Sequence, residues 1–262
     1  MPTKAPALLA DERRREIVKL LRKEGSVSVE DLVRRFKVSA VTLRADLGQL
    51  AERGLLVRSY GGAMVPLSPN DDVPLNVKRS IHYAEKVRIA RAAARLVKPR
   101  QTVILDSGTT SGEVAKAIKA ASITPLTVIT HALNIAQEFT DSTSVSVIMI
   151  GGLMRHVSGS FVGPQAERSI RELHADHFFV GVDGLDFETG LSTPDLLEAQ
   201  LNGLMMQRSQ EVSVIADASK FGRRSLSVIG PMNGVRRIIT DDRIPPEILE
   251  RVRQTGVEVL VV

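Results

Sequence analysis

The sequence of 262 residues contains no cysteine and no tryptophan, and it has no long hydrophobic run. Without cysteine, neither a disulfide framework nor a thiolate metal site can form. No apolar stretch approaches the roughly 18 residues that a membrane-spanning helix needs, and Met1–Ala10 lacks the apolar core of a secretory signal. Because 43% of the residues are hydrophobic and 25% are charged, we expect a soluble cytoplasmic protein that does not bind a membrane.

The patterns of common metal, cofactor and catalytic sites are also missing. The five histidines lack a convincing metal-ligand spacing, although His174 and His177 stand three residues apart. The sequence has neither a P-loop nor a Gly-x-Gly-x-x-Gly fingerprint. We therefore expect no metal, no cofactor and no catalytic residue.

Positive charge is concentrated at the beginning of the chain. Residues 1–66 hold 13 Lys and Arg against 8 Asp and Glu, whereas residues 67–262 hold 22 of each kind. Lysine and arginine that neutralise phosphates release counterions, so this local excess favours binding to a polyanion such as DNA. A solvated basic face is the alternative, and the run Arg13-Arg14-Arg15 has the same two interpretations.

Three short helices are predicted in this basic region. Apolar residues recur at helical spacing between Asp11 and Glu24, and Ser28, three residues before Asp31, can cap a second helix. Ser39 can cap a third helix, whose apolar residues form one stripe: Leu43, Leu47 and Leu50. Three helices with tight connections predict a helix-turn-helix unit, and a purely structural helical domain is the alternative.

The third helix is the one that enters the major groove of DNA in such a unit. Val41 and Arg44 project away from the apolar stripe, with Thr42 and Gln49 on its flank. Val41 could touch a thymine methyl group, and Thr42 or Arg44 could reach base edges or phosphates. The predicted DNA-binding residues of this helix are Ser39, Val41, Thr42, Arg44 and Gln49.

A β-hairpin is predicted to follow the third helix. Residues 55–60 favour a strand, Gly61 and Gly62 allow a turn, and residues 63–65 favour a second strand. This pattern is typical of a winged helix-turn-helix, in which Arg58 and Tyr60 could contact DNA, although Tyr60 could equally pack on the third helix. Three prolines, an asparagine and two aspartates then predict a linker. We assign residues 11–65 to a DNA-binding domain, 66–77 to the linker and 78–262 to a second domain.

The second domain alternates β-branched runs with helical stretches. The predicted strands are residues 102–105, 127–130, 145–150, 178–182, 212–216, 237–240 and 257–262. The predicted helices between them are residues 84–96, 113–120, 135–139, 166–173 and 196–208. Apolar residues at consecutive positions indicate strands buried on both faces, so the pattern predicts an α/β domain with a mostly parallel sheet.

In open parallel sheets, ligands bind beyond the carboxyl ends of the strands. The first strand leads into Asp106, Ser107, Gly108, Thr109 and Thr110, followed by a helix. This turn offers backbone N–H groups, hydroxyls and a helix dipole, which favour phosphate. Similar turns are common in α/β proteins, so this motif alone is not specific.

Polar residues and glycines also follow the other strands. The candidate ligand-binding residues there are His131, Gly151, Gly152, Asp183 and Lys220. Paired glycines permit close backbone approach, a carboxylate can accept hydroxyl protons from a sugar, and a lysine can meet the charge of a ligand. Their convergence on one sheet edge strengthens the prediction of a sugar-phosphate site.

Several motifs resemble the DeoR family of winged-helix repressors. In the first half they are residues 25–29 (Gly-Ser-Val-Ser-Val), 38–39 (Val-Ser), 42–47 (Thr-Leu-Arg-Ala-Asp-Leu) and 60–63 (Tyr-Gly-Gly-Ala). In the second half, those that resemble the family's sensor domain are residues 105–110, 150–152, 179–184 and 217–221. The resemblance covers residues 11–262 and implies a repressor released by a phosphorylated sugar, with a sensor similar to ribose-5-phosphate isomerase.

Within that family, residues 160–167 and 256–262 look most like the regulators of N-acetylgalactosamine and galactosamine use. The resemblance thus implies an amino-sugar or tagatose phosphate as effector. Two positions depart from the family pattern: Ala45 stands where many members have a second arginine, and His131 stands where asparagine is common. Because of Ala45, the operator sequence cannot be transferred from other members, and because of His131, the family's hydrogen bonding to the ligand's hydroxyls cannot be transferred at that position.

The expected partners are double-stranded operator DNA, a phosphorylated sugar and further copies of the chain in a homodimer or homotetramer, since paired half-sites multiply affinity. The alternative function is an isomerase-like enzyme carrying an accessory helical domain. Asp183 with Lys220 or Glu198 could then serve as acid and base. Fold resemblance alone does not transfer chemistry, so we expect a regulator and no enzymatic activity.

Overall fold

The computed structural model describes residues 9–53, 55–59, 61–65 and 70–262. The chain divides into two compact units, Met1–Ser68 and Pro69–Val262. Each unit has a hydrophobic core of its own. Tyr60 and the first four residues of the expected linker, 66–69, lie outside the described residues.

The first unit combines three helices with a small antiparallel sheet. Its elements are α1 (Ala10–Glu24), β1 (Ser26–Ser28), α2 (Val29–Phe36), α3 (Ala40–Glu52), β2 (Val57–Ser59) and β3 (Gly62–Met64). The three predicted helices and the two strands of the hairpin are confirmed. Strand β1 was not predicted; it pairs with β3, so that the sheet order is β1-β3-β2.

Local sequence signals explain where these helices begin and end. Gly25 ends α1 with φ of 77°, a left-handed conformation that glycine adopts without a steric cost. The hydroxyls of Ser28 and Ser39 accept the N–H groups of Asp31 at 3.0 Å and Thr42 at 3.1 Å, which caps α2 and α3. The predicted stripe of α3 is buried: Leu43, Leu47 and Leu50 are at most 2% exposed.

The second unit is an α/β domain. Its helices are α4 (Leu75–Ser80), α5 (Tyr83–Ala94), α6 (Thr109–Ala120), α7 (Leu133–Glu138), α8 (Pro164–Arg171), α9 (Leu196–Gln207) and α10 (Pro246–Gln254). Its strands are β4 (Thr102–Leu105), β5 (Leu126–Thr130), β6 (Val145–Met149), β7 (Leu153–Arg155), β8 (Ser160–Val162), β9 (Ala175–Val180), β10 (Gly184–Asp186), β11 (Gly190–Thr193), β12 (Ser209–Ile215), β13 (Ser227–Gly230), β14 (Arg237–Thr240) and β15 (Glu258–Val261). Helix α4 begins inside the segment that the sequence suggested as linker.

Seven of these strands form one parallel sheet in the order β15-β14-β12-β9-β4-β5-β6. All seven were predicted from their consecutive apolar residues. Neighbouring residues of a strand belong to different cores, because side chains alternate between the faces: Ile104 and Phe178 pack on one side, and Leu105 and Phe179 on the other. The mostly parallel α/β fold is therefore confirmed.

Two smaller antiparallel sheets complete the second unit. Strands β7 and β8 form a hairpin, and β10, β11 and β13 form a three-stranded sheet. Since the strands of the main sheet are parallel, their carboxyl ends meet at one edge, where the predicted ligand-binding residues stand. Within the described ranges, no helix has the length and apolar character needed to cross a membrane.

Candidate functional site

The surface of α3 presents four of the predicted DNA-binding side chains to solvent. Val41 is 73% exposed, and Thr42, Arg44 and Gln49 are also exposed. The hydroxyl of Ser39, in contrast, is engaged in capping the helix and lies 2.9 Å from the hydroxyl of Thr42. Val41 therefore exposes its methyl groups one helical turn from the exposed Arg44, and such groups can contact base edges in a major groove.

The predicted hairpin places Arg58 on β2, where its side chain is exposed and its backbone pairs with Ala63 of β3. Tyr60, the second residue predicted for this hairpin, lies outside the described residues. The position of Arg58 on an exposed ribbon beside α3 suits a contact with backbone phosphate.

A buried charged cluster fixes the position of α3 against α1. Arg13 Nε lies 2.6 Å from Asp46 Oδ2, and their side chains are 8% and 4% exposed. Arg14 Nε lies 2.9 Å from the other oxygen, Oδ1, of the same carboxylate. Two of the three arginines in the run 13–15 therefore bind Asp46 and fix the position of α3. The sequence had left a contact with DNA phosphate open for this run.

In the second unit, Asp106 organises the loop that follows β4. Its buried carboxylate accepts hydrogen bonds from the hydroxyl of Ser111 and from the N–H groups of Gly108 at 3.1 Å and Gly181 at 2.8 Å. Burial raises the pKa of Asp106 above its usual value, while these donors act in the opposite direction. Asp106 therefore connects the ends of β4 and β9 and shapes the loop.

The rest of this loop forms the start of α6. Gly108 is the N-cap residue, and no side chain caps the helix there. Thr109 and Thr110 stand in the first turn, where backbone N–H groups lack partners within the helix and can donate to an anion. The hydroxyl of Ser107 donates to Glu198 Oε1 at 2.9 Å, which connects the loop to α9.

Two lysines meet at Asp183, beyond the end of β9. Lys78 Nζ of α4 lies 2.8 Å and Lys220 Nζ lies 3.6 Å from Asp183 Oδ1, and the hydroxyl of Thr193 donates to Oδ2 at 3.2 Å. Burial acts to raise the pKa of Asp183, but the ammonium groups of Lys78 and Lys220 hold it below its usual value. The charge of Asp183 also acts on Asp106, so this cluster adjoins the loop after β4.

A third lysine, Lys86 of α5, is buried beside this pair. It is 5% exposed, and its ammonium group donates to the backbone oxygen of Lys78 at 2.6 Å. Burial lowers the pKa of Lys86 to about 8, with Asp217 acting to raise it and Lys220 and Lys78 to lower it. The structure thus brings three lysines together at the sheet edge.

The remaining predicted residues lie beside the hairpin of β7 and β8. His131 is completely buried, neither ring nitrogen has a hydrogen-bond partner among the described residues, and burial lowers its pKa to about 4, with a further contribution from Arg155. Gly151 is exposed. A Cβ on Gly152 would lie 2.6 Å from the backbone oxygen of Val162, so this glycine permits the close approach of β8. The strand ends therefore supply two groups of residues, one beside the lysines and one beside the hairpin.

Arg155 of β7 lies at the hairpin and forms ion pairs with three acidic side chains. Its Nη1 lies 3.0 Å from Glu198 Oε2 and its Nε lies 3.2 Å from Asp195 Oδ2, while its Nη2 binds Asp72. Burial raises the pKa of Glu198 to about 7; Arg155 and the hydroxyl of Ser107 act against this rise. The side chain of Arg155 is only 10% exposed.

Sequence reasoning missed Lys78, Lys86 and Arg155. Lys86 carried a detectable signal, because it falls on the same helical stripe as Ile89, Ala90 and Ala93, which are at most 1% exposed. A charged residue on an apolar stripe needs a partner or a ligand. Lys78 directly follows the segment interpreted as linker and precedes the first predicted helix of the second domain, and no local pattern distinguishes Arg155.

Other potential sites have structural partners. The ring of His177 lies 2.8 Å from the hydroxyl of Ser213 and stacks on Phe179. Over the described ranges, no three His, Asp or Glu side chains are grouped so that they could hold a metal ion.

Comparisons with known proteins identify both units. Residues 13–68 match the model of the DeoR-like helix-turn-helix domain, and residues 81–242 match that of the DeoR C-terminal sensor domain. The chain is 40% identical to a putative aga operon transcriptional repressor of Escherichia coli O157:H7, over 96% of this chain and 93% of the relative. It is 31% identical to the glycerol-3-phosphate regulon repressor of Escherichia coli K12, over 91% of this chain and 94% of the relative.

Among solved structures, ribose 5-phosphate isomerase A of Neisseria gonorrhoeae matches 53% of this chain and 53% of its own, with a TM-score of 0.40 and 13% identity.

Proposed function

Since the chain belongs to the DeoR family of DNA-binding transcriptional regulators, we propose that it represses a sugar-catabolism operon and that a phosphorylated sugar releases it from its operator. Two relatives that it matches over more than nine-tenths of their length are named as repressors. The chain is therefore a regulator, and the alternative of an isomerase-like enzyme is not favoured.

DNA recognition is assigned to the exposed side of α3 and to the hairpin. Val41, Thr42, Arg44 and Gln49 reach the major groove in this proposal, and Arg58 contacts phosphate. Ser39 acts mainly through the helix cap, because its hydroxyl already accepts the N–H of Thr42.

The observation that carries the effector assignment is the buried ammonium group of Lys86 beside Lys78 and Lys220. Asp183 and Asp217 neutralise part of the charge of these three lysines, and an anionic ligand can neutralise the rest. In this proposal the same phosphate also lies at the N-terminus of α6, which no side chain caps, since such termini bind phosphate through backbone N–H groups. The effector phosphate is therefore assigned to the space between these lysines and the loop 107–110.

The other candidates take different roles in this proposal. Asp106 holds the loop in shape, since its oxygens already accept three hydrogen bonds. Asp183 offers carboxylate oxygens to sugar hydroxyls when its lysines turn to the phosphate. His131, whose ring nitrogens lack partners within the described part of the chain, accepts or donates a hydrogen bond at the far end of the sugar, beside Gly151 and Gly152.

A thermal-shift screen of the full chain tests the effector assignment. The panel contains galactosamine 6-phosphate, tagatose phosphates and glycerol 3-phosphate, each with its unphosphorylated counterpart. A ligand present at one hundred times its Kd stabilises the folded protein by about 2.7 kcal/mol. We expect stabilisation by one phosphorylated compound and none by its unphosphorylated form.

Two variants localise this effect. Lys86→Met and Lys220→Met should lose most of the stabilisation, because each removes one charge facing the phosphate. Lys119→Met is the matched control, since Lys119 stands at the other end of α6 and binds Asp141. A stabilisation that survives both site variants, or a panel without any binder, would contradict the proposed effector site while leaving DNA binding intact.

We also propose that the protein acts as a homodimer or homotetramer. A single recognition helix reads only a few base pairs, and two linked copies bind paired half-sites more tightly. Analytical ultracentrifugation of the full chain tests this, and a monomer at the concentrations that bind DNA would overturn it.

A further inference from the structure

Arg155 stands between two parts of the second unit that have different roles. On one side, its guanidinium group contacts Glu198 of α9 at 3.0 Å, and Glu198 accepts the hydroxyl of Ser107 at 2.9 Å. On the other side, it binds Asp72. A continuous series of contacts therefore runs from the loop after β4 to Asp72.

Asp72 belongs to the segment that follows the division of the chain between Ser68 and Pro69. This segment is attached to the second unit at further points. The N–H of Leu75 donates to the backbone oxygen of Val157 at 2.9 Å, and Lys78 binds Asp183 at 2.8 Å. The segment that follows the DNA-binding domain is thus bound to Arg155, to the backbone of Val157 and to Asp183, and Asp183 borders the proposed effector site.

Resting on the proposed function, we propose that Arg155 is a positioning residue that passes effector occupancy of the loop 107–110 to Asp72, and through Asp72 to the segment leading to the DNA-binding domain. Arg155 touches neither DNA nor, in the assignment above, the effector phosphate. Its role is to hold or release Asp72.

The three carboxylates around Arg155 differ in their contact with solvent. The side chain of Asp72 is 41% exposed, that of Asp195 is 29% exposed and that of Glu198 is 13% exposed. Asp195 also accepts the N–H of Glu198 at 2.8 Å as the cap of α9. Asp72 is therefore the partner that Arg155 releases most easily, because water can solvate its carboxylate.

The partner of the Ser107 hydroxyl, either Glu198 or an anion, determines whether Arg155 keeps its contact with Asp72. When it donates to an anion in the loop, Glu198 Oε1 loses its donor. That oxygen is then free to accept a second N–H from Arg155, and two-point contacts between arginine and a carboxylate are strong. Arg155 moves toward Glu198, the contact with Asp72 breaks, and the segment around residues 70–78 is loosened.

Hydrogen exchange measured by mass spectrometry on the full chain at about pH 8, where Glu198 is ionised, tests this model. Inorganic phosphate is the probe, with sodium chloride of equal ionic strength as reference. Two peptides report separately: residues 106–112 show whether phosphate occupies the loop, and residues 70–78, which include the Leu75 amide, show whether the segment is loosened. We expect phosphate to slow exchange in the first and to accelerate it about fivefold or more in the second, the lower range of ordinary coupling between sites.

Variants test the same relay without any ligand. Ser107→Ala removes the donor to Glu198 and should accelerate exchange of residues 70–78 in the absence of phosphate. Arg155→Met should do the same and abolish any further response to phosphate. Asp72→Asn, a change at a half-exposed side chain, gives the same readout if Arg155→Met does not fold.

Two matched controls accompany these variants. Ser111→Ala removes a hydroxyl in the first turn of α6 that binds Asp106 instead of Glu198. Arg224→Met removes an arginine that bridges Asp186 and Glu188 elsewhere in the unit. Both should leave exchange of residues 70–78 as in the wild type.

The outcomes separate this inference from the proposed function. If phosphate protects residues 106–112 but leaves 70–78 unchanged, the relay is overturned and the anion site stands. If phosphate does not protect residues 106–112, the proposed anion site fails. In that case Ser107→Ala and Arg155→Met still decide the relay, and wild-type exchange of residues 70–78 in both would overturn it.

Discussion

Arg13 and Asp46 form a buried ion pair with an Nε–Oδ2 distance of 2.6 Å, although they stand 33 residues apart in the sequence. The pair connects α1 to α3, and Arg14 adds a second contact to the same carboxylate. An acidic side chain inside the most basic region of the chain therefore sets the orientation of the helix assigned to the major groove.

Asp46→Ala should destabilise the first unit by about 3–5 kcal/mol, because it leaves two arginines without their buried partner. Hydrogen exchange of the α1 and α3 amides in the full chain measures this loss. Asp11→Ala is the matched control: Asp11 also binds Arg14, but it is 80% exposed, and such pairs contribute about 0–1 kcal/mol. Equal effects of the two substitutions would show that burial of the Asp46 pair is unimportant.

Two glycines of the first unit should respond oppositely to alanine. A Cβ on Gly62 of β3 would lie 2.1 Å from the backbone oxygen of Val27, so Gly62→Ala must displace β1 and should cost about 1–3 kcal/mol. Gly48 of α3 has open space around its Cβ position, and Gly48→Ala should stabilise the helix by about 0.5–1 kcal/mol. The free energy of unfolding measured by native-state hydrogen exchange of the first unit distinguishes the two, and destabilisation by Gly48→Ala would contradict this account.

The main sheet could be predicted because its strands carry strong local signals. Runs such as residues 102–105 and 238–240 are apolar or β-branched at consecutive positions, a pattern typical of a strand that is covered on both faces. The smaller sheets are different. Strands such as β10 (Gly-Leu-Asp) and β7 (Leu-Met-Arg) have three residues each, too few to show a period, so their pairing depends on tertiary context.

The candidate effector site also has one part that the local sequence predicts and one part that it does not. Its loop was predictable, since Gly, Ser and Thr between a strand and a helix favour an anion site locally. Lys78 pairs with Asp183 over 105 residues and Arg155 with Asp72 over 83, so no pattern along the chain reveals either contact. Lys86 is an intermediate case. The sequence shows its position on the apolar stripe of α5, but it does not show which residues surround its ammonium group.

Arg44→Ala should weaken binding to DNA without changing the stability of the protein. If Arg44 contacts a base edge, the affinity should fall by about 1–3 kcal/mol and discrimination at one base pair should relax; if it contacts phosphate, the slope of affinity against salt should decrease by about one. Titrations at several salt concentrations, on DNA that the wild type selects from a random pool, measure both. Arg171→Ala, an exposed arginine of α8, is the control that should bind as the wild type.

Glu198 should make the stability of the second unit depend on pH in an unusual direction. Burial raises the pKa of Glu198 to about 7 in the folded protein, against an ordinary value of 4.5. Between these two values the folded protein keeps a proton that the unfolded chain releases, so the contribution of Glu198 to stability falls as pH rises through this window. The slope is at most about 1.4 kcal/mol per pH unit.

Glu198→Gln removes this contribution, so its stability relative to the wild type should increase from about pH 4.5 to about pH 7 and stay constant above. The buried histidines His131 and His177, whose pKa values of about 4 give the opposite dependence, are present in both proteins and cancel in the difference. Asp186→Asn is the control. The pKa of Asp186 is about 2, because the N–H of Thr189 and the guanidinium of Arg224 outweigh the effect of burial, so Asp186 is ionised throughout the window. Urea unfolding at a series of pH values provides the comparison, and a flat difference for Glu198→Gln would show that Arg155 keeps Glu198 ionised down to the pH at which the unfolded chain takes up its proton.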